Sequence, residues 1–335
     1  MFDCLCHCSW LGFALISLIG YFVVRYLLEC LVLSDLEQKA VFISGCDTGF
    51  GRQAALKLAQ KGCPVFAGCL TKEGITSIEN ESKGLRGRVI GVPLNILEDE
   101  SVREAANFVE KNLPPGTKLW ALLNNAGVFS TFGPSEWCEI SEYKLAMDLN
   151  FYGAVRCTHA FMPLIKKSKG RIGATTSVSG RLATPCATPY SSAKFALSSY
   201  IEAISTEMFD YNIKFAIFEP GIFKTNLLDR TAKNKRVDFV WNKMSASLRE
   251  EYGEEYKQKF LDHWHKTMDE VGSSNTNHVV DAYVHFVISK FPRFRYKCGW
   301  DSILFWCPAS CLPDQLDPIY MDSKQQVQSS SYHKE

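Results

Sequence analysis

The hydrophobic pattern of this chain has two parts, which meet near residue 36. Trp10 to Leu33 is almost entirely apolar and carries only Arg25 and Glu29 as charged residues. As a helix rising ~1.5 Å per residue, this stretch would measure about 36 Å, enough to cross a bilayer with some tilt. No Lys or Arg precedes Arg25 and no small-residue cleavage site stands out, which argues against a signal peptide and a mitochondrial presequence. The pattern predicts an uncleaved membrane anchor over residues 1–36, with a helix lying on the membrane surface as the alternative.

After residue 38, short apolar runs alternate with longer stretches of helical periodicity. The predicted strands are Ala40–Ser44, Pro64–Cys69, Val89–Leu94, Leu119–Asn124, Arg171–Ser177 and Lys214–Glu219. The main predicted helices between them are Glu98–Asn112, Asp148–Lys167 and Ser191–Tyr211. This alternation predicts a single α/β domain over residues 37–322, built on a doubly wound parallel sheet. Residues 323–335 are polar and are predicted to form a disordered tail.

Composition narrows the function classes. The net charge is +1, so nothing in the overall charge favours nucleic acid as a partner. The thirteen cysteines are an odd number without a CxxC pair or metal-ligand spacing, which indicates free thiols in a reducing compartment and predicts no metal site. Cys4, Cys6 and Cys8 lie beside the apolar segment, and whether they carry a lipid stays open.

The strongest chemical signal is Tyr190 followed four residues later by Lys194, with Ser177 thirteen residues before the tyrosine. Residues at i and i+4 lie on the same face of a helix, so a phenol and an ammonium group are held close together. A nearby cation favours phenolate and lowers the phenol's pKa. Such a tyrosine can exchange a proton with an alcohol or a carbonyl, while Ser177 holds the same substrate oxygen.

A glycine-rich turn, residues 45–51, joins the first predicted strand to a helix. This arrangement aims backbone N–H groups and a helix N-terminus at a pyrophosphate, and glycines let the ligand approach closely. Asn124 and Pro220 end later strands, as Ser44 ends the first. Parallel strands end at one edge of the sheet, so the pattern predicts that these motifs meet there in a dinucleotide site.

Taken together, these motifs resemble the short-chain dehydrogenase/reductase family over most of the chain. The wording of five of them is similar to the retinol and hydroxysteroid dehydrogenase branch: SGCDTGFG (44–51), VFAGCLTKEG (65–74), LWALLNNAG (119–127), EPGIFKTN (219–226) and PRFRYKCGWD (292–301). D-β-hydroxybutyrate dehydrogenase is a close relative, which residues 94–95, 130–133 and 183–185 resemble most. The resemblance also implies that residues 222–270 form an insertion that closes over the substrate.

The resemblance implies a role for each residue of a catalytic tetrad. Tyr190 is the acid/base, Lys194 lowers its pKa and binds the ribose, Ser177 binds the substrate oxygen, and Asn150 positions a water that relays the proton. Tyr190 and Lys194 also contact the cofactor. The other implied cofactor residues are Gly45, Asp47, Gly49, Phe50, Gly51, Asn95, Asn125, Ala126, Gly127, Pro220, Gly221 and Thr225.

The cofactor is predicted to be NAD, with NADP left open. Relatives that prefer NAD often carry an acid at the end of the second strand, where this chain has Gly68 and Cys69. Asp47 lies in the glycine turn, however, and its carboxylate would repel the 2′-phosphate of NADP.

The predicted activity is interconversion of a lipophilic alcohol and its ketone or aldehyde at a membrane. A steroid or sterol (ecdysteroids included) is the first substrate, and retinol is the second. The endoplasmic reticulum is the expected compartment, with a mitochondrial membrane as the alternative. Oxidation of 3-hydroxybutyrate, with Lys224 or Arg230 binding the acid, is a rival, and a non-catalytic sterol- or cofactor-binding protein is another. Membrane lipids are expected partners, and family analogy implies a homo-oligomer paired through the helices over 148–167 and 191–211.

Overall fold

A seven-stranded parallel sheet forms the centre of the molecule, and its strands follow the order β3-β2-β1-β4-β5-β6-β7. The computed structural model describes residues 2–129, 133–225 and 230–313. The strands are β1 (Lys39–Ser44), β2 (Val65–Cys69), β3 (Val89–Pro93), β4 (Lys118–Asn124), β5 (Arg171–Thr175), β6 (Lys214–Pro220) and β7 (Arg295–Cys298). The predicted doubly wound parallel sheet is confirmed. The sequence did not predict β7, because this short strand contains two cations and has no apolar run.

The helices are α1 (Phe2–Glu29), α2 (Gly49–Gln60), α3 (Lys72–Glu81), α4 (Asp99–Asn112), α5 (Ile140–Met147), α6 (Gly153–Ser168), α7 (Thr188–Glu207), α8 (Arg230–Lys243), α9 (Ala246–Val271), α10 (Asn277–Ile288) and α11 (Cys307–Ala309). The helix predicted to start at Asp148 is longer, because α5 runs through a π-helical turn, Asp148–Tyr152, into α6. The helix predicted from Ser191 begins at Thr188 and ends at Glu207.

Two apolar layers cover the two faces of the sheet. On one face α2, α3 and α10 pack through residues such as Leu58, Ile78 and Phe286. On the other face α4, α6 and α7 pack against strand residues such as Phe42, whose ring lies 4.2 Å from that of Phe161. Because both faces are covered, the central strands read as continuous apolar runs, which explains why their positions were predictable.

The N-terminal helix joins the domain at a different point from the one that the sequence predicted. By length and composition, Gly12–Glu29 is apolar enough to cross a membrane, and this segment is almost wholly exposed. The apolar run predicted a helix that continues to Leu33, but α1 ends at Glu29. The next residues instead pair with the end of α10, where the Leu33 N–H donates to the Ile288 carbonyl at 2.8 Å.

The helices α8 and α9 form a small third cluster beside the sheet. Trp137 lies at its centre, buried against Trp241 of α8 and against Tyr252, Tyr256 and Phe260 of α9. The helical run of α9 is interrupted at Gly253, whose φ is 77°. Within the predicted insertion, the described helices α8 and α9 thus form a packed unit, while residues 226–229 and the predicted tail, 323–335, lie outside the described residues.

Candidate active site

A cavity of about 490 Å³ opens at the carboxyl edge of the sheet, where the strand ends meet. Every residue of the predicted tetrad lines it, and so do eleven of the twelve further residues predicted to bind the cofactor. Gly51, the third residue of α2, is the exception. The predicted convergence of motifs at this edge is therefore present in the structure.

The glycine turn approaches the end of β4 so closely that side chains do not fit. Gly45 has φ 74°, and a Cβ on it would lie 2.8 Å from the Ala126 Cα. A Cβ on Gly51 would lie 2.5 Å from the Gly45 carbonyl oxygen and from the Asn125 amide. The helix α2 begins at Gly49, so its free N–H groups face the cavity as an anion site requires. These features fit the pyrophosphate of a dinucleotide.

A hydrogen-bond network holds this turn in place. The Asn125 side chain donates to the Ser44 and Gly45 carbonyls at 2.9 and 3.0 Å, and its own oxygen accepts from Tyr283 at 3.0 Å. The Ser44 hydroxyl accepts from the Asn125 and Ala126 N–H groups. Tyr283 also pairs with Thr175 at the end of β5. No signal in the sequence singles out Tyr283, because a tyrosine on an apolar helix face is normally a core residue.

Tyr190 is buried at the start of α7 and hydrogen-bonds with Ser177. The sequence predicted Ser177 as the last residue of a strand, but β5 ends at Thr175, and the serine caps a short turn by accepting from the Ser179 N–H. Burial raises the pKa of Tyr190 to about 12, and the hydrogen bond with Ser177 offsets only part of that shift. At neutral pH the phenol therefore holds its proton in this arrangement.

Lys194 lies beside Tyr190, as the i+4 spacing predicts. Its Nζ is 5.6 Å from the centroid of the tyrosine ring and donates to the Thr175 carbonyl at 2.9 Å. Burial lowers the pKa of Lys194 to about 7, so the residue is only partly charged at neutral pH. Burial acts on both groups and disfavours both charges, and the lowering of the tyrosine pKa by Lys194 stays a prediction.

Asn150 is buried in the π-helical turn, and both ends of its amide are used. Its nitrogen donates to the Ala146 carbonyl and its oxygen accepts from the Val128 N–H, both at 3.1 Å. The wider turn carries the side chain inward, to within contact of Gly127. Asn150 thus fixes the loop after β4 next to Lys194.

Asp47 folds onto the end of the second strand. Its carboxylate accepts from the Leu70 N–H at 2.8 Å, and from the N–H and hydroxyl of Thr71 at 2.9 and 2.7 Å. The sequence showed no acid at this strand end, but the glycine turn supplies one through space. By contrast, the amide of Asn95, a predicted cofactor residue, is engaged within its own loop with Glu98 and Leu97.

The Pro220–Gly221 segment is held by a residue that sequence reasoning did not assign. Asp301, at the start of the helical segment that follows β7, accepts from the Ile222 N–H at 2.7 Å. A Cβ on Gly221 would collide with that carboxylate, so the glycine allows the contact. The motif over 292–301 carries part of the family resemblance, and its structural role is this support of the cavity wall.

The remaining wall of the cavity is apolar and aromatic. Phe129 stacks on Trp264 of α9, with ring centroids 5.6 Å apart and planes within 8°. Met268 and Trp306 continue this wall. Of the aromatic residues between positions 239 and 264, all within the described part of the chain, Trp264 alone lines the cavity, since the others pack on Trp137 or lie outside.

Comparisons with known proteins agree with this geometry. The family described as short chain dehydrogenase matches residues 39–236. The 3β-hydroxysteroid dehydrogenase dhs-16 of Caenorhabditis elegans is 40% identical over 306 residues, which cover 90% of this chain and 79% of that protein. The 17-β-hydroxysteroid dehydrogenase type 6 of Bos taurus is 35% identical, covering 92% and 95%. Retinol dehydrogenase 16 of Rattus norvegicus is 32% identical, covering 90% and 94%.

A solved structure shares the fold. A short chain dehydrogenase/reductase from Burkholderia phymatum, in complex with NAD, superposes with a TM-score of 0.65 at 19% identity, over 79% of this chain and 90% of that one. The predicted family and branch are confirmed. The chain belongs to the short chain dehydrogenase/reductase family, in the branch that contains hydroxysteroid and retinol dehydrogenases, and is an oxidoreductase that acts on CH–OH groups.

Proposed function

We propose that this protein is a membrane-anchored, NAD-dependent dehydrogenase for a lipophilic alcohol, with a steroid or sterol as the first candidate and retinol as the second. One observation carries the proposal: Tyr190 lines a cavity together with an aromatic and apolar wall that begins beside it, where the Phe129 ring lies 4.8 Å from the tyrosine ring and stacks on Trp264. Among the described residues that line this cavity, Lys194 is the one Lys or Arg. A bulky apolar alcohol suits such a wall, since its burial removes apolar surface from water.

Residues of this chain transfer the proton and orient the substrate. A bound nicotinamide supplies the hydride acceptor, or the donor in the reverse direction. Ser177 hydrogen-bonds the substrate oxygen and holds it against Tyr190. Because the pKa of Tyr190 is raised to about 12, its Oη carries the proton that a carbonyl substrate needs. Oxidation needs the phenolate, which extra positive charge close to the ring would favour.

Asp47 supports NAD as the preferred cofactor. Its carboxylate occupies the end of β2, the place from which an acid bonds the ribose 2′-hydroxyl in this fold. A 2′-phosphate brought to the same place would meet like charge. In Asp47→Asn we expect the preference for NAD over NADP, measured as the ratio of kcat/KM values, to fall about tenfold or more. An unchanged ratio would contradict this role.

The rival substrate, 3-hydroxybutyrate, requires a cation that meets its carboxylate. The two candidates, Lys224 and Arg230, both bind Asp269 on α9 instead. This engagement favours the apolar substrate over the small acid. The homo-oligomer expected from family analogy and the endoplasmic reticulum as compartment stay predictions.

The deciding experiment measures NADH formation by the detergent-purified full chain with NAD and NADP in parallel. The substrates are steroid alcohols, retinol and 3-hydroxybutyrate, and Tyr190→Phe serves as the inactive control. Turnover of a steroid or retinol that the variant loses supports the proposal. Turnover of 3-hydroxybutyrate alone overturns it, and bound NADH fluorescence without any turnover would favour the non-catalytic binding protein.

A further inference from the structure

The amino edge of the sheet, opposite the cavity, carries an exposed row of basic residues. In a parallel sheet all strands begin at one edge, and the helices between them end there. At least one exposed basic residue lies at each of the six connections that lead into β2 to β7, and we take one from each: Lys61, Arg88, Lys118, Lys169, Lys214 and Lys290. In the part of the chain that the structure describes, none of the six lies within ion-pair distance of a carboxylate. We call this set the basic edge.

Helix dipoles explain only part of this pattern. Cations are favoured at helix C-termini, which accounts for Lys61 and Lys169. Lys118 and Lys214 instead begin strands, where no macrodipole acts. The acids of this edge are fewer or already paired, since Glu110 binds Lys167 at 2.8 Å and Glu37 lies 3.9 Å from Arg86. Asp35, Glu207 and Asp210 also lie here and reduce the positive charge without cancelling it.

Three helices that start at the carboxyl edge carry acids in their first turns, with Glu73 on α3, Asp99 and Glu100 on α4, and Glu142 on α5. Asp99, Glu100 and Glu142 pair with Arg156, Arg103 and Arg236, so cations and acids alternate at this edge. The chain's net charge of +1 thus conceals the cations that lie together at the basic edge.

Exposed aromatic side chains lie among the basic residues. Phe209 and Tyr211 precede β6 and are 78% and 46% exposed, and Phe291 and Phe294 precede β7 and are 49% and 39% exposed. Lys166 lies over the Tyr211 ring at 3.9 Å. Aromatic rings alternating with cations are typical of segments that lie at a bilayer interface.

The apolar N-terminal helix is fixed to this same edge. The last residue of α1, Glu29, is buried, and its carbonyl accepts from Ser289 at 2.9 Å beside the end of α10. Its carboxylate binds Arg293 at 2.8 Å and Arg25 at 3.0 Å. The base of the helix and the basic edge therefore belong to one surface.

We propose that the basic edge, with its exposed aromatic residues, docks on the head groups of an anionic bilayer, the bilayer that holds α1. The inference rests on the proposed membrane insertion of α1. Each cation close to an anionic surface adds attraction that falls off within a Debye length of ~8 Å at physiological salt. The cavity, at the other edge of the sheet, then opens away from the lipid, and the substrate enters from the aqueous side.

Native lysines provide a label-free test of this orientation. The full chain is reconstituted in nanodiscs of phosphatidylcholine with phosphatidylethanolamine, with or without phosphatidylserine. An amine-reactive cross-linker joins lysines to ethanolamine head groups, and mass spectrometry locates the adducts. We expect adducts at Lys118, Lys169 and Lys214, increased by phosphatidylserine and reduced at high salt. We expect few at Lys144, Lys235 and Lys266, which are exposed on α5, α8 and α9.

Charge-reversal variants test whether the basic edge binds anionic head groups or merely lies close to the bilayer. In the triple variant Lys118→Glu, Lys169→Glu, Lys214→Glu, adducts at Lys61 and Lys290 should fall roughly tenfold in phosphatidylserine discs, to the level of uncharged discs. The matched control, Lys144→Glu, Lys235→Glu, Lys266→Glu, should leave the adducts at Lys61 and Lys290 unchanged. Activity in detergent verifies that both variants fold.

Three outcomes would overturn the inference. Adducts mainly at Lys144, Lys235 and Lys266 would mean that the carboxyl edge, where Trp300 and Leu304 are exposed, faces the lipid. Adducts at the basic edge whose yield does not change with phosphatidylserine or salt would mean that the anchor alone positions the domain. Equal adducts at both sets would mean no fixed orientation. A chain that fails to enter nanodiscs at all refutes the anchor, a separate result that leaves the dehydrogenase activity in detergent unaffected.

Discussion

The two walls of the cavity are built in different ways. The polar wall consists of strand ends and turns whose backbone groups are fixed by hydrogen bonds, as Asn125 fixes the glycine turn. The apolar wall consists of side chains such as Trp264 and Trp306, which come from segments outside the central strands. The polar wall therefore depends on geometry that tolerates little change, while the apolar wall depends on shape and area. This difference predicts which substitutions abolish chemistry and which only alter substrate preference.

The largest effect is expected from removing the proton donor of the polar wall. In Tyr190→Phe the ring stays in its buried site but the Oη is lost, so kcat should fall by about 10³-fold or more. NADH affinity, measured by fluorescence titration, should change little. Substantial remaining turnover in this variant would show that another group moves the proton.

A steric change in the glycine turn should come next. A methyl group at Gly51 would meet the Gly45 carbonyl, a backbone atom that cannot move without opening the turn. We expect Gly51→Ala to weaken NADH binding about 100-fold, because the pyrophosphate site is built from this backbone.

Gly20→Ala is the matched control for that substitution. Gly20 lies in α1, and no atom lies within 4 Å of the position that its added methyl group would take, so the same chemical change meets no obstacle. If both variants bind NADH equally well, the close packing of the turn is irrelevant to the cofactor.

The apolar wall should respond in substrate affinity and leave the cofactor untouched. Trp264→Ala removes the ring that stacks on Phe129, so KM for the lipophilic alcohol should rise about tenfold. KM for NAD should stay within about twofold. Phe239→Ala, an exposed aromatic of the same insertion, should affect neither. Equal losses in both variants would point to instability of the insertion instead of a substrate contact.

The two walls also differ in how much of them the sequence predicted. Parallel strands end at one edge, so Asn124, Ser177 and Pro220 could be placed together from their spacing alone. The acid at the end of β2 could not be predicted from the sequence of that strand. It is Asp47, which belongs to the turn after β1 and contacts the end of β2 only in the folded structure. Asp301 was missed because β7 is too short and charged to predict.

Positions on the apolar wall depend on how α9 folds back against the sheet. Six aromatic residues of the insertion looked equivalent in sequence: Phe239, Trp241, Tyr252, Tyr256, Phe260 and Trp264. Several of them pack on Trp137 in a separate cluster. Trp264 lines the cavity because of tertiary packing, which the local sequence does not show. The local sequence pattern therefore predicts sites built from strand ends and turns better than a wall built from side chains of separate segments.

The smallest expected effect concerns the charge of Lys194. Burial lowers its pKa to about 7, so the ammonium form predominates below that pH and is lost as pH rises through it. The charged form is the one that attracts a dinucleotide's anionic and hydroxyl groups, so NADH affinity should be highest below pH 7. Between pH 6 and pH 8 the Kd should rise by at most about tenfold, since the charged fraction falls about tenfold from one pH unit below the pKa to one unit above it. Lys194→Arg stays charged throughout and should show a flat profile. A flat profile in the unsubstituted protein would mean that Lys194 keeps its proton up to pH 8 despite its burial. Water or bound groups would then stabilise its charge within the polar wall.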